Sequence, residues 1–231
     1  KMGELFSFVL YTVFIGASVG GMADLYSKIQ KAIGASEDLL KIHELSVEDI
    51  SESENKTKLE GVFVIKIEKL EDERGFFART WDKEFFKSNG LNADLVQCNI
   101  SFNKKKGTVR GLHYQIPPYE EAKLVRCTHG KVFEAVIDLR KNSKTFLQWD
   151  SIELDSKDYK MLFVPEGFAL GLQTLEDNTE VHYQMSQSYN PEYSRGIVWN
   201  DKTLKIAWPL KPSVISEKDA NLKTLQNGGL I

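Results

Sequence analysis

The sequence predicts an all-β domain, a sandwich, barrel or jelly roll, behind an N-terminal helical segment. Three observations predict it. From Leu59 onward, apolar residues recur with a period of two in short runs rich in Val, Ile, Phe and Tyr, the pattern of half-buried strands. Turn signals such as His129-Gly130, Asp155-Ser156 and Glu176-Asp177-Asn178 separate the runs. Before residue 46, the apolar residues follow a roughly helical period instead.

Residues 1–45 form the first element. Glu4 and Asp24 bracket a stretch without a charge, which as a helix measures roughly 28 Å, close to the hydrocarbon thickness of a bilayer. Gly16, Ser18, Gly20 and Gly21 supply small side chains of the kind that let helices approach closely in lipid. Leu25, Ile29, Ile33, Leu40 and Ile42 carry the helical period into a charged, amphipathic extension. Lys28, Lys31 and Lys41 follow the apolar stretch while Lys1 alone precedes it, which favours a cytoplasmic C-terminal side. The stretch resembles the last transmembrane helix of an ABC exporter subunit with its cytoplasmic extension, although no GxxxxGK[ST] loop follows. On that resemblance, residues 5–23 are expected to contact a membrane and to anchor a cytoplasmic catalytic domain. A buried or interfacial helix, a cleaved signal, and exporter sequence joined to an unrelated enzyme are the competing readings.

Residues 46–58, "SVEDISESENKTK", are polar and acidic, as expected of an exposed linker, and the second domain runs over residues 59–231. Its strands are read at "GVFVIKIEKL", "KLVRCTHGKVFEAVIDLR", "LQWDSIELD", "KMLFVPEGFALGLQTL" and "TEVHYQMSQSY". The one expected helix is "TWDKEFFKSNG", with Phe85 and Phe86 on its buried side and Asn89-Gly90 as its stop. No internal repeat suggests a propeller.

Composition excludes some function classes. Lys plus Arg total 30 and Asp plus Glu 33, giving a net charge of −3 without a basic block, so a phosphate-neutralising nucleic-acid surface is not expected. Cys98 and Cys127 have no CxxC spacing and are too few for a disulfide framework, so they read as thiols in a reducing compartment.

The series "ERGFFART", "QCNIS", "KGTVRGLHYQ", "KLVRCTHGKVFEAVIDLR", "VPEGFALG", "NPEYSRGIVWND" and "ISEKD" resembles, in that order, the dTDP-4-dehydrorhamnose 3,5-epimerase family over about residues 59–225. The resemblance implies a cupin-like jelly roll, a homodimer, a nucleotide-diphosphate 4-keto-6-deoxyhexose as substrate, and neither metal nor cofactor. It also implies residue roles. His113 would be the base and Asp219 of "SEKD" its orienting partner, with Tyr183 the acid on the opposite face and Lys123 the cation near the enolate. Arg74, Phe76, Gln97, Asn99 and Arg110 would bind nucleotide and pyrophosphate.

The residue types suit that chemistry. The carbonyl of a 4-keto sugar acidifies the C–H bonds at C3 and C5. Inverting either centre needs a base on one face, an acid on the other, and a group that stabilises the enolate oxygen. A carboxylate paired with an imidazole holds one tautomer and favours the imidazolium formed on proton abstraction. Arginine suits bidentate phosphate contacts.

His129, at a turn, and His182, on the strand face opposite Tyr183, read as structural. Metal binding is not expected, because Tyr114 and Gln115 follow His113 where metal-binding cupins have a second histidine. The sequence departs from the family's usual pattern at Leu170, commonly histidine, at Arg79, commonly glutamate, and at Gln184, often lysine. An epimerase of altered specificity is the leading reading. A sugar-nucleotide 3,4-ketoisomerase and a non-catalytic, membrane-tethered sugar-nucleotide-binding module are the alternatives.

Overall fold

A computed structural model describes residues 2–43, 48–49 and 57–229. The chain falls into two units, Lys1–Ser46 and Val47–Ile231.

The first unit is one helix, α1 (Met2–His43). The side chains of Gly16, Ser18, Gly20, Leu40 and Ile42 lie outside the described residues. Leu25, Ile29 and Ile33 are exposed. The transmembrane expectation and the exporter resemblance are not supported: among the described residues no helix is long and apolar enough to cross a membrane. Helix α1 continues unbroken past its uncharged stretch into charged residues. Asp24 and Lys28 meet one turn apart at 2.7 Å with both side chains exposed, the ion pairing of a solvated helix face.

In the second unit, eight strands form the two facing sheets. They are β5 (Gln97–Asn103), β6 (Val109–Gln115), β7 (Lys123–His129), β8 (Lys131–Asp138), β9 (Trp149–Asp155), β10 (Met161–Val164), β11 (Phe168–Thr174) and β12 (Thr179–Met185). One sheet runs β10-β7-β12-β5 and is extended at the β10 end by β2 (Phe63–Ile67) and β1 (Glu48–Asp49). The other runs β6-β11-β8-β9, with β13 (Ser194–Gly196) beyond β6. The chain thus crosses from one sheet to the other at every step except β8 to β9, which is jelly-roll order, and all pairings of the eight strands are antiparallel. A separate hairpin pairs β3 (Leu70–Asp72) with β4 (Gly75–Phe77). Of the expected linker, residues 46–47 and 50–56 lie outside the described residues, whereas the backbone of Glu48–Asp49 pairs with Lys66 and Ile67.

Alternation along the strands builds three apolar layers. Between the sheets, Val125 and Cys127 of β7, Val132 and Val136 of β8, Leu162, Leu172 and Val181 interdigitate. The expected helix forms as α2 (Lys83–Ser88) because Asp82 caps it, its carboxylate accepting the Phe85 N–H at 3.0 Å. It seats Phe86 against Ile65, Leu124, Met161 and Phe163 on the outside of the first sheet. The opposite outer face, with Phe133, Ala135 and Ile137 of β8, is covered by Ile197, Leu204, Trp208 and Leu225 of the C-terminal tail. This cover explains why β8 is buried on both faces and reads as a nearly continuous apolar run. Cys127 is buried and Cys98 exposed, and both are free thiols.

Candidate active site

At one end of the space between the sheets opens a cavity of about 440 Å³. Alternation on β5, β7 and β12, and a register irregularity on β6 that turns both Arg110 and His113 inward, aim side chains from both sheets into it. Gln97, Asn99 and Ser101 come from β5, Arg110 and His113 from β6, Lys123 and Val125 from β7, and Val181 and Tyr183 from β12. His113 and Tyr183 belong to opposite sheets, so the imidazole and the phenol face the cavity from opposite walls.

Asp219 stands behind His113. It is buried on the short helix α3 (Glu217–Ala220), capped by Ser216, whose hydroxyl accepts the Asp219 N–H at 3.1 Å. One Asp219 oxygen lies 2.7 Å from His113 Nε2, and the other accepts the Gly111 N–H at 3.1 Å. Burial works to raise the Asp219 pKa, but the His113 hydrogen bond and the Gly111 N–H outweigh it and hold the carboxyl below its ordinary value. With one ring nitrogen committed to Asp219, the other is left to accept a proton. Gly111 adopts φ +94°, and a Cβ there would come within 2.8 Å of the Leu170 carbonyl, so the close approach of β6 to β11 beside the imidazole requires glycine.

Lys123 is buried, forms an ion pair with Glu121 at 3.0 Å and donates to the His113 carbonyl at 3.3 Å. Burial pushes the Tyr183 phenol above its ordinary pKa against the opposing pull of Arg110, so it is neutral and able to donate at pH 7. Arg110 Nε donates to Asn103 at 2.7 Å, Gln97 donates to Asn99 at 3.2 Å, and Asn99 reaches the Met185 sulfur at 3.4 Å.

Six of the nine residues singled out in the sequence therefore share the cavity wall, and Asp219 backs it. Arg74 and Phe76 are not among the lining residues. They lie on the β3–β4 hairpin, where Arg74 pairs with Asp72 at 2.5 Å and Phe76 packs edge-on against Tyr159 beneath Lys69. Of the three departures, Leu170 lines the cavity in register with His113. Arg79 instead pairs with Asp82 at 3.2 Å, and Gln184 faces the outer side of its sheet beside Arg126 and His182. His182 shares that outer groove, and His129 Nδ1 meets the Asn178 carbonyl at 2.9 Å. Among the described residues, no group of three or more His, Cys, Asp or Glu side chains converges as a metal site would require.

The two glutamates of the cavity wall, Glu121 and Glu134, escaped the sequence reading. Glu134 had a signal. It occupies an inward position between Val132 and Val136, where alternation calls for an apolar residue.

Residues 56–227 match the family described as dTDP-4-dehydrorhamnose 3,5-epimerase. The dTDP-4-dehydrorhamnose 3,5-epimerase of Methanothermobacter thermautotrophicus is 41% identical over 174 residues, 74% of this chain and 93% of that protein. The crystal structure of the enzyme of the same name from Elizabethkingia anophelis superposes with a TM-score of 0.73 at 34% identity, covering 78% of this chain and 97% of that one. A dTDP-6-deoxy-D-glucose-3,5-epimerase from Legionella pneumophila, solved in complex with dTDP-4-keto-L-rhamnose, gives 0.71 at 32% identity, covering 77% and 95%. The match begins beyond the N-terminal helix and spans every residue of the cavity described above. In motif order, in fold and in length of match, the chain belongs to the dTDP-4-dehydrorhamnose 3,5-epimerase family.

Proposed function

We infer that the protein is an isomerase that epimerises C3, C5 or both of a dTDP-linked 4-keto-6-deoxyhexose, using base and acid proton transfer through an enolate. The observation that carries this reading is the opposition of two proton-transfer groups across one cavity. The His113–Asp219 pair faces it from one sheet, Tyr183 from the other, and the Lys123 ammonium lines the same space. His113 takes the proton from carbon, its bonding electrons pass to the carbonyl oxygen, and Lys123 offsets the charge there. Tyr183 then delivers a proton to the opposite face, which inverts the centre. Gln97, Asn99 and Arg110 line the cavity as candidates for the nucleotide and pyrophosphate.

Arg74 and Phe76, on the hairpin, fit this scheme as residues that complete a neighbouring copy's site in a homodimer. The cavity's lining residues run from Gln97 to Lys218, and the catalytic domain is read as residues 59–231.

Incubating the full chain with a dTDP-4-keto-6-deoxyhexose in deuterated water tests the reaction. Proton NMR should show deuterium entering at C3 or C5 together with the inverted product. Binding without exchange, or movement of the carbonyl to a neighbouring carbon, would overturn the assignment.

A further inference from the structure

Glu134 is 1% exposed, it lines the cavity, and neither carboxyl oxygen has a hydrogen-bond partner among the described residues. It sits on β8 across from Leu172 of β11 and Ile152 of β9, and its face neighbours Val132 and Val136 belong to the apolar core. A valine or leucine would fill that position without leaving a polar group unsatisfied, so the glutamate costs stability that, inside the folded chain, the attraction of Lys123 does not outweigh. The charged and titratable groups around it are few. Lys123 and Cys127 face it from β7 and Tyr183 from β12, Glu121 lies behind Lys123, and Arg110 and His113 lie on β6. From β9 and β11 it meets Ile152, Leu170 and Leu172.

The single ammonium of Lys123 is already paired with Glu121 at 3.0 Å, so a second anion in this enclosure has no counter-charge of its own. Burial pushes Glu134 up to about 8, against the opposing pull of Lys123, and its carboxyl carries a proton at pH 7. An un-ionised carboxyl with an unused O–H, buried in the wall of a cavity, is a preorganised hydrogen-bond donor to a group seated against that wall.

Building on the enolate reading, we propose that Glu134 is a further catalytic residue: as a neutral carboxylic acid it donates a hydrogen bond to the sugar's carbonyl oxygen as that oxygen becomes an enolate, sharing it with Lys123. The proton stays on Glu134. The electron pair freed when His113 takes the proton from carbon rests on the substrate oxygen and returns to carbon when Tyr183 protonates it. Ionised Glu134 would oppose the enolate charge instead of stabilising it.

The test compares the full-length protein with Glu134→Gln and Glu134→Leu, measuring kcat, KM and deuterium exchange between pH 6 and pH 10 on a dTDP-4-keto-6-deoxyhexose. The parent should lose kcat as pH rises through about 8. Glu134→Gln keeps an N–H donor that cannot ionise, so it should retain kcat within about tenfold at pH 7 and lose that alkaline fall. Glu134→Leu should lose roughly 10²–10³-fold in kcat, the range for one oxyanion donor, with KM little changed and an intact circular dichroism spectrum. A Glu134→Gln profile that keeps the parent's alkaline fall, or a Glu134→Leu enzyme as fast as the parent, would overturn the proposal. The Glu134→Gln profile decides the matter even if Glu134→Leu fails to fold. If the parent itself exchanges no deuterium, the enolate reading fails. If the parent exchanges and the variants match it, only the role of Glu134 fails.

Discussion

His113 and Tyr183 differ in what their loss should do, because they occupy opposite walls of one cavity. Replacing His113 with Asn removes the proposed base, so deuterium exchange and epimerisation should fall together by roughly 10²–10⁴-fold. Tyr183→Phe leaves abstraction from the His113 side intact, so exchange with retention should outlast inversion in an NMR time course. Equal losses of both in Tyr183→Phe would reject the two-faced assignment. At this scale the sequence was most informative where residues sat in ordered motifs: "RGLHYQ" and "SEKD" named His113 and Asp219 although 105 residues separate them. What it left hidden was contact. Nothing in the chain announces that Asp219 also accepts the Gly111 N–H, or that the family-atypical Leu170 stands in register with the base while Arg79 and Gln184 lie away from the cavity. Glu134 was visible as a charge inside an apolar alternation, and reading it as one more residue of a strand motif concealed it.

Strand β8 shows how an element is held where the site needs it. At its C-terminal end, Asp138 has a side chain 0% exposed that accepts from Arg140 at 2.8 Å, Ser143 at 2.5 Å and Thr145 at 2.6 Å. Arg140 in turn lies over the Phe168 ring at 4.4 Å and donates to the Glu60 carbonyl, tying β8 to the start of β11 and to the chain entering β2. Burial works to raise the Asp138 pKa, yet these donors outweigh it and bring the carboxyl to about 2. A carboxyl lowered in the folded state stabilises above its unfolded value and loses that contribution as pH falls toward the folded one. Asp138→Asn should therefore lower stability at pH 7 by about 3 kcal/mol, the scale of breaking a buried pair. It should also flatten the loss of stability between about pH 4 and pH 2. Urea titrations across that range would measure both, and an unchanged acid slope would reject the account. Elements were legible to the degree that periodicity was local. The strands and α2 follow from alternation and a cap, whereas α3 has only four residues, too few to show a period, and forms on the strength of the Ser216 cap. The uncharged run in α1 shows the limit of length as a signal: among the described residues no helix is long and apolar enough to cross a membrane, and the charged residues that follow the run pair on an exposed face.

At the scale of the whole molecule, alternation alone left sandwich, barrel and jelly roll equally open, because the order of strands in a sheet is a long-range property. The tail covering the outer face of the second sheet was equally invisible, since Ile197, Leu204, Trp208 and Leu225 follow no strand or helix period. Assembly is the remaining question at this scale, and the surface supplies an argument. Strand β5 is the free edge of its sheet, and while Gln97, Asn99 and Ser101 turn inward to the cavity, Ile100 and Phe102 turn outward at 63% and 50% exposure, with Val96 just before them. Phe77 on the β3–β4 hairpin is 48% exposed, and Arg74 and Phe76 beside it are not among the residues lining the cavity of about 440 Å³. A free edge bearing large apolar side chains invites pairing with a second chain, and a two-fold arrangement would let each hairpin reach the partner's cavity mouth. The full-length protein should sediment as a dimer at micromolar concentration. Ile100→Glu with Phe102→Glu, both pointing away from the cavity, should shift it toward monomer and raise KM for the nucleotide sugar as the hairpin residues leave the site. Arg74→Ala in the intact dimer should raise KM in the same direction without changing the sedimentation coefficient. A monodisperse monomer that turns over at the full rate would reject the assembly and the role of Arg74 and Phe76 together.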